Sequence, residues 1–152
     1  MKKYELTDET ITFYGRTLHR IRACGDFVTI TGEQIEVGDL GGFVETEENL
    51  SHDGMCWVYG NARVCGNAKV CGNAEIQTSQ DYITISPIGS RNDVTTFYKT
   101  DSGIDVKCGC FNGSIEEFLK AVEETHGDNK YGKAYRAAAE LAKIQIEVNS
   151  ND

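Results

Sequence analysis

Between Val58 and Ile76 the chain reads VYGNARVCGNAKVCGNAEI, a six-residue unit Val-x-Gly-Asn-Ala-x repeated three times without a gap. Such a repeat constrains a fold tightly, because each unit must take the same local shape and stack on its neighbours. Val58, Val64, Val70 and Ile76 hold a large apolar position, and Ala62, Ala68 and Ala74 a small one two residues ahead of the next. In an extended Ala-x-Val tripeptide both apolar side chains lie on one face. The Gly-Asn pair before it suits a corner, since both residues tolerate left-handed backbone angles. The expected unit is therefore a very short strand and a corner, with Arg63, Lys69 and Glu75 pointing outward into solvent.

Strand and corner at period six are the signature of a hexapeptide β-helix. Resemblance to left-handed β-helix proteins implies that three hexads make one turn of a triangular coil. One turn leaves both of its ends open, so flanking segments or other subunits must cover them. Residues 1–57 are expected to supply a cap and an irregular start. Ile11 to Ile21 reads as a hairpin turning near Gly15, with His19 in a structural role on the returning strand. Phe27 to Ile35 alternates weakly and breaks at Thr31-Gly32. Leu40, Val44, Leu50 and Val58 are the expected inward positions of an irregular first coil, the acidic run Glu45–Glu48 protrudes, and Trp57 seals one end.

After Ile76 the period changes, and a polar joint at Gln77–Gln80 separates a unit of residues 1–76 from one of residues 77–152. Ile83 and Ile85 mark a strand ended by Pro87 and Gly89, and Val94 to Lys99 a second. Ile104, Val106, Cys108 and Cys110 share one face of a third. Ser114 with Glu117 forms a capping box ahead of the apolar stripe Ile115, Phe118, Leu119, Val122, and His126-Gly127 ends that helix. Asp128 is the expected cap of a second helix whose Tyr131, Ala134, Tyr135, Ala138, Leu141 and Ala142 face inward. The expected fold class is mainly β with an α+β C-terminal part: a hairpin-capped short left-handed β-helix, then a three-stranded antiparallel sheet and two helices.

Composition narrows the function classes. At 152 residues, 39% apolar and 26% charged, the chain has the make-up of an ordinary folded protein. No run approaches the ~18 apolar residues of a membrane span, and the Met-Lys-Lys-Tyr-Glu-Leu start lacks a signal-peptide apolar region, so a cytoplasmic protein is expected. A net charge of −9 argues against general binding to nucleic-acid phosphates. The six cysteines lack zinc-site spacing, and Cys65 and Cys71 occupy equivalent positions in successive hexads, so free thiols are expected and no metal.

No catalytic motif is present, and no cofactor is implied. The candidate ligand site lies where two loops would meet. Gly89-Ser90-Arg91-Asn92 joins the first two strands of the C-terminal sheet, and Gly109–Ser114 joins the third strand to a helix start. Ser90, Arg91, Asn92, Asn112, Gly113 and Ser114, with hydroxyls from Thr95, Thr96 and Tyr98, would suit a phosphate or carboxylate. A second candidate is His126-Gly-Asp-Asn-Lys-Tyr131, where a histidine, a carboxylate and a phenol fall between helices.

Tyr14-Gly-Arg-Thr-Leu-His-Arg-Ile21, Gly38-Asp-Leu-Gly-Gly-Phe-Val44, Asn49-Leu-Ser-His-Asp-Gly54 and the Gly-Asn-Ala hexads together resemble a family of small proteins of bacteriophages and prophages in Gram-positive bacteria. The tail motifs Pro87-Ile-Gly-Ser-Arg-Asn92, Thr95-Thr-Phe-Tyr98 and Cys108-Gly-Cys-Phe-Asn-Gly113 resemble a module attached to the same repeats. The resemblance implies a non-enzymatic, self-associating phage accessory protein in the host cytoplasm. By analogy it counters antiviral defence, through sequestration of a nucleotide immune signal or, alternatively, direct inhibition of a defence complex in the manner of an anti-CRISPR protein. A structural or assembly role is a third class. Hexapeptide acyltransferases use many coils and a catalytic histidine, and γ-class carbonic anhydrases hold zinc on three histidines. His19, His52 and His126 lie in three separate segments beside one regular coil, which disfavours both.

Overall fold

The computed structural model describes residues 2–146. The chain divides into two compact units between Ser79 and Gln80, within the polar joint.

The N-terminal unit opens with a long hairpin, β1 (Tyr4–Phe13) and β2 (Arg16–Ala23), turning at Tyr14-Gly15. His19 Nδ1–H donates to the Thr7 carbonyl at 3.0 Å, the structural role expected of it. A second, short hairpin joins β3 (Phe27–Val28) to β4 (Gln34–Ile35) around Thr31-Gly32. β5 (Leu40–Val44) pairs antiparallel with β2. The acidic run then closes as a single 3-10 turn, Glu47–Asn49.

Beyond that turn come β6 (Trp57–Val58), β7 (Arg63–Val64) and β8 (Glu75–Ile76), and the chain stacks on itself. Val44 pairs in parallel with Val64, Leu50 with Val70, and Val58 with Ile76. These six side chains are buried, as are Ala62, Ala68 and Ala74, so the large and small positions of the repeat point inward together. Gly60, Gly66 and Gly72 all have positive φ, the angle a corner needs and glycine adopts without steric cost. Of the expected first-coil positions, Val44, Leu50 and Val58 are fully buried; Leu40 is exposed, because it lies ahead of the first parallel pair. Asn49 ties the two passes together: its Nδ2 donates to the carbonyls of Gly66 and Ala68 at 3.1 and 3.0 Å.

Two arginines dock the hairpin. The Arg20 guanidinium lies 4.3 Å from the Phe43 ring centre and donates to the carbonyls of Gly41 and Gly60, and Arg63 stacks over Phe13 at 4.2 Å. Glu75 is not the solvated outward residue expected from the repeat. It is buried, and Thr31 Oγ1 donates to its Oε1 at 2.9 Å. The β3–β4 turn supplies that contact, and a repeat pattern carries no information about it. Burial, with the Glu75 carboxylate beside it, pushes the Tyr59 phenol far up.

The C-terminal unit has four strands rather than three: β9 (Tyr82–Ile88), β10 (Asp93–Lys99), β11 (Ile104–Cys108) and β12 (Phe111–Ser114). They run antiparallel in the order β12-β11-β10-β9. β9 continues through Pro87 to Ile88; it is an edge strand, where a missing N–H is tolerated. Gly109-Cys110 is a two-residue hairpin turn, so Cys110 leaves the strand face on which alternation would put it. Two helices follow, α1 (Ile115–His126) and α2 (Lys130–Gln145). Phe97, Val106, Ile115, Phe118, Val122, Tyr135, Ala139 and Ala142 form the core between sheet and helices.

The Ser114–Glu117 capping box is present, as the sequence predicts. The second cap is Asn129, not Asp128: its Oδ1 accepts the Gly132 N–H at 3.0 Å, while Asp128 pairs with Arg136. The inward face of α2 also differs from the expected one, because packing on the sheet and α1 selects it. Ala134 and Leu141 are exposed, Tyr131 is half-buried, and Ala139 and Ile146 are buried beside Tyr135, Ala138 and Ala142.

Candidate ligand groove

The antiparallel order of the sheet puts alternate turns at the same end. The β9–β10 turn and the β11–β12 turn therefore share one end, and the α1–α2 turn closes over them. Ser90, Arg91 and Asp93 from the first turn, Cys108 to Cys110 from the second, and Thr125, His126 and Tyr135 from the helices line a groove of about 230 Å³. A smaller apolar pocket of about 130 Å³, walled by Phe111, Phe118, Ala121 and Val122, adjoins it and shares Cys108, Thr125, His126 and Tyr135.

The groove floor is a chain of polar contacts. Thr95 Oγ1 donates to Cys108 Sγ at 3.2 Å, and the Cys108 thiol faces the Tyr135 hydroxyl at 3.9 Å. Burial pushes the Tyr135 phenol up to about 12; Cys108 and Asp93 add to this and Arg91 opposes it. His126 tilts against the rings of Tyr131 and Tyr135, with centroids 5.8 and 5.7 Å away. Arg91 is exposed on the rim. Arg16, Arg20, Arg22 and Arg136 each pair with a carboxylate, whereas Arg91 makes no ion pair among the described residues.

Gly89 ties the rim to the floor. Its φ is +79°, and a Cβ there would lie 1.8 Å from the Tyr135 hydroxyl. Gly89→Ala is therefore expected to combine backbone strain with a clash and lower stability by about 2–4 kcal/mol. Urea unfolding reads this as a lower midpoint; an unchanged midpoint would mean that the turn moves off Tyr135 freely.

The nine residues expected to hold a ligand do not share one place. Ser90 and Arg91 line the groove. Asn92 shapes the turn instead: it has φ +51° and its N–H donates to the Gly89 carbonyl. Thr95 is buried behind Cys108. Thr96, Tyr98 and Asn112 alternate to the other face of the sheet, where Thr96 meets Thr84 and Asn112 donates to the Tyr98 hydroxyl at 2.7 Å. Gly113 and Ser114 end β12, about 7 and about 10 Å along the strand from Phe111 by the rise of a strand. There the Ser114 hydroxyl accepts the Glu117 N–H, so the helix start is occupied by its own cap.

From the second candidate, His126 enters the groove, but Asp128 points away to Arg136. Sequence reasoning missed Asp93, Cys108, Thr125 and Tyr135 as groove residues. The usable signal was Gly109-Cys110 as a two-residue turn between alternating stretches, which would have put Cys108 and Ser90 at one end of the sheet. Among the described residues no group of three or more His, Cys, Asp or Glu side chains is placed to hold a metal, and all six cysteines are free. No described helix is long and apolar enough to cross a membrane. Comparison of the chain with models of known families, with curated proteins and with solved structures finds no match.

Proposed function

We propose that this protein is a non-enzymatic phage accessory protein that withdraws a small nucleotide immune signal in the host cytoplasm by binding it in the C-terminal groove. One observation carries the reading: an exposed Arg91, with no ion pair among the described residues, faces a polar groove that continues into an apolar, aromatic pocket. An unpaired guanidinium offers a planar fork to a phosphate. An aromatic pocket beside it suits a base. The origin in phage or prophage rests on the motifs of both units. In the same proposal residues 40–76 are two turns of a left-handed hexapeptide β-helix, supported by three parallel pairs between successive passes, and the protein self-associates through this coil. A second reading, capture of a basic defence protein, is favoured only by the net charge of −9.

Native mass spectrometry of the protein purified from infected host cells tests both. The expected result is a small nucleotide at fixed stoichiometry per oligomer, lost in Arg91→Ala with the fold retained by circular dichroism. A co-purified host protein would replace this reading with capture. An oligomer carrying nothing would leave a structural role ahead.

A further inference from the structure

The charges lining the groove are few and opposed. Among the described residues Arg91 is its one arginine or lysine, and Asp93, two residues on along the same turn, is its one carboxylate. Both lie close enough to Tyr135 to act on its phenol with opposite sign, so they share one locality. Tyr135 is uncharged at neutral pH, as any phenol is, and burial raises its titration further. Arg91 forms no ion pair among the described residues, Asp93 included, so the guanidinium is available for one anion. Further phosphates on the same ligand would find no second arginine or lysine in the lining, no metal-holding group among the described residues, and the Asp93 carboxylate beside them. The surrounding field is unfavourable too, since the whole chain carries −9.

The adjoining pocket sets the other half of the ligand. This pocket of about 130 Å³ opens to solvent between Phe111, Phe118 and Val122, with His126 and Tyr135 at its junction with the polar groove. It offers aromatic edges and faces against which one planar ring system can stack, without enclosing it. Resting on the ligand-binding reading above, we infer that the groove selects a nucleotide whose phosphate is a singly charged phosphodiester next to a seated base, and discriminates against nucleoside polyphosphates. Specificity here comes from repulsion as much as from attraction: Asp93 is the element that rejects extra charge.

Calorimetric titration of the full chain with three probes tests this: the dinucleotide adenylyl-(3′→5′)-adenosine, ATP without added metal, and adenosine. The dinucleotide is expected to bind at least tenfold more tightly than ATP. Arg91→Ala is expected to weaken the dinucleotide tenfold or more. Asp93→Asn keeps an acceptor for the Val94 N–H, which Asp93 Oδ1 receives at 2.8 Å, and is expected to raise ATP affinity several-fold. Circular dichroism of each variant separates these effects from unfolding. ATP binding as tight as the dinucleotide overturns the inference while leaving nucleotide binding in place. An ATP affinity unmoved by Asp93→Asn removes the role given to that carboxylate. Absence of binding by all three probes overturns this inference and the nucleotide reading together.

Discussion

Gly42→Ala is expected to cost the N-terminal unit about 3 kcal/mol or more, the top of the range for overpacked sites. Gly42 is needed for space and not for its backbone angle, since it lies outside the positive-φ set. A Cβ there would stand 2.6 Å from the Ala62 carbonyl oxygen and 2.6 Å from Val58 Cγ1. Overpacking is least costly when a flexible side chain can yield. Here one opposing atom is a backbone oxygen already accepting the Phe43 N–H at 2.9 Å. Relieving the clash would pull β5 off the next pass of the chain and disturb the parallel pairs Phe43–Arg63 and Val44–Val64. Urea unfolding followed by the fluorescence of Trp57, the single tryptophan, reads the loss directly. A wild-type midpoint in the variant would falsify this close packing of the two passes. Gly41→Ala meets the Val58 carbonyl at 2.6 Å and the Ile21 side chain, and is expected to behave alike.

Trp57→Ala should cost about 3–5 kcal/mol, the usual range for emptying a buried tryptophan site. Trp57 is 1% exposed, edge-on to Phe27 at 5.3 Å and to Tyr4 at 6.4 Å, and its backbone N–H donates to the Ala74 carbonyl. The indole joins the N-terminal strand and the β3–β4 hairpin to the stacked passes of the chain. Around it Tyr4 stacks on His52, and the Lys3 ammonium donates to the Cys56 carbonyl at 2.6 Å while lying over Phe27. Few of these groups can collapse into the vacated volume, because their polar ends are already fixed. Trp57→Phe, which retains one ring, is expected to lose about half as much. Thermal unfolding by circular dichroism distinguishes the two; equal melting temperatures for wild type and Trp57→Ala would show that the indole packs against nothing that matters.

Much of the architecture was legible in the sequence wherever the signal was local. The buried set Val58, Val64, Val70, Ile76 follows from period six, and even the irregular pass through Val44 and Leu50 was readable from apolar spacing. The Ser114–Glu117 box set the start of α1. Errors arose where two local signals competed. Asp128 and Asn129 are both good caps, and only the Asn129–Gly132 bond decides between them. Alternation through Cys108 and Cys110 suggested one longer strand, although Gly109 with φ +58° reverses the chain there.

What the sequence determined by itself is therefore its periodic and capped segments, because repeat spacing, alternation and side-chain capping act over a few residues. Which distant residues meet was decided by the tertiary structure. Ser90 and Arg91 reach His126 because antiparallel pairing returns alternate turns to one end of the sheet, under the α1–α2 turn. Ser114 is carried away from them by one additional four-residue strand, β12. Glu75 is buried by a hairpin forty residues earlier in the chain. Such contacts depend on how whole elements pack, and a hexad or a capping box holds no record of what will be laid against it.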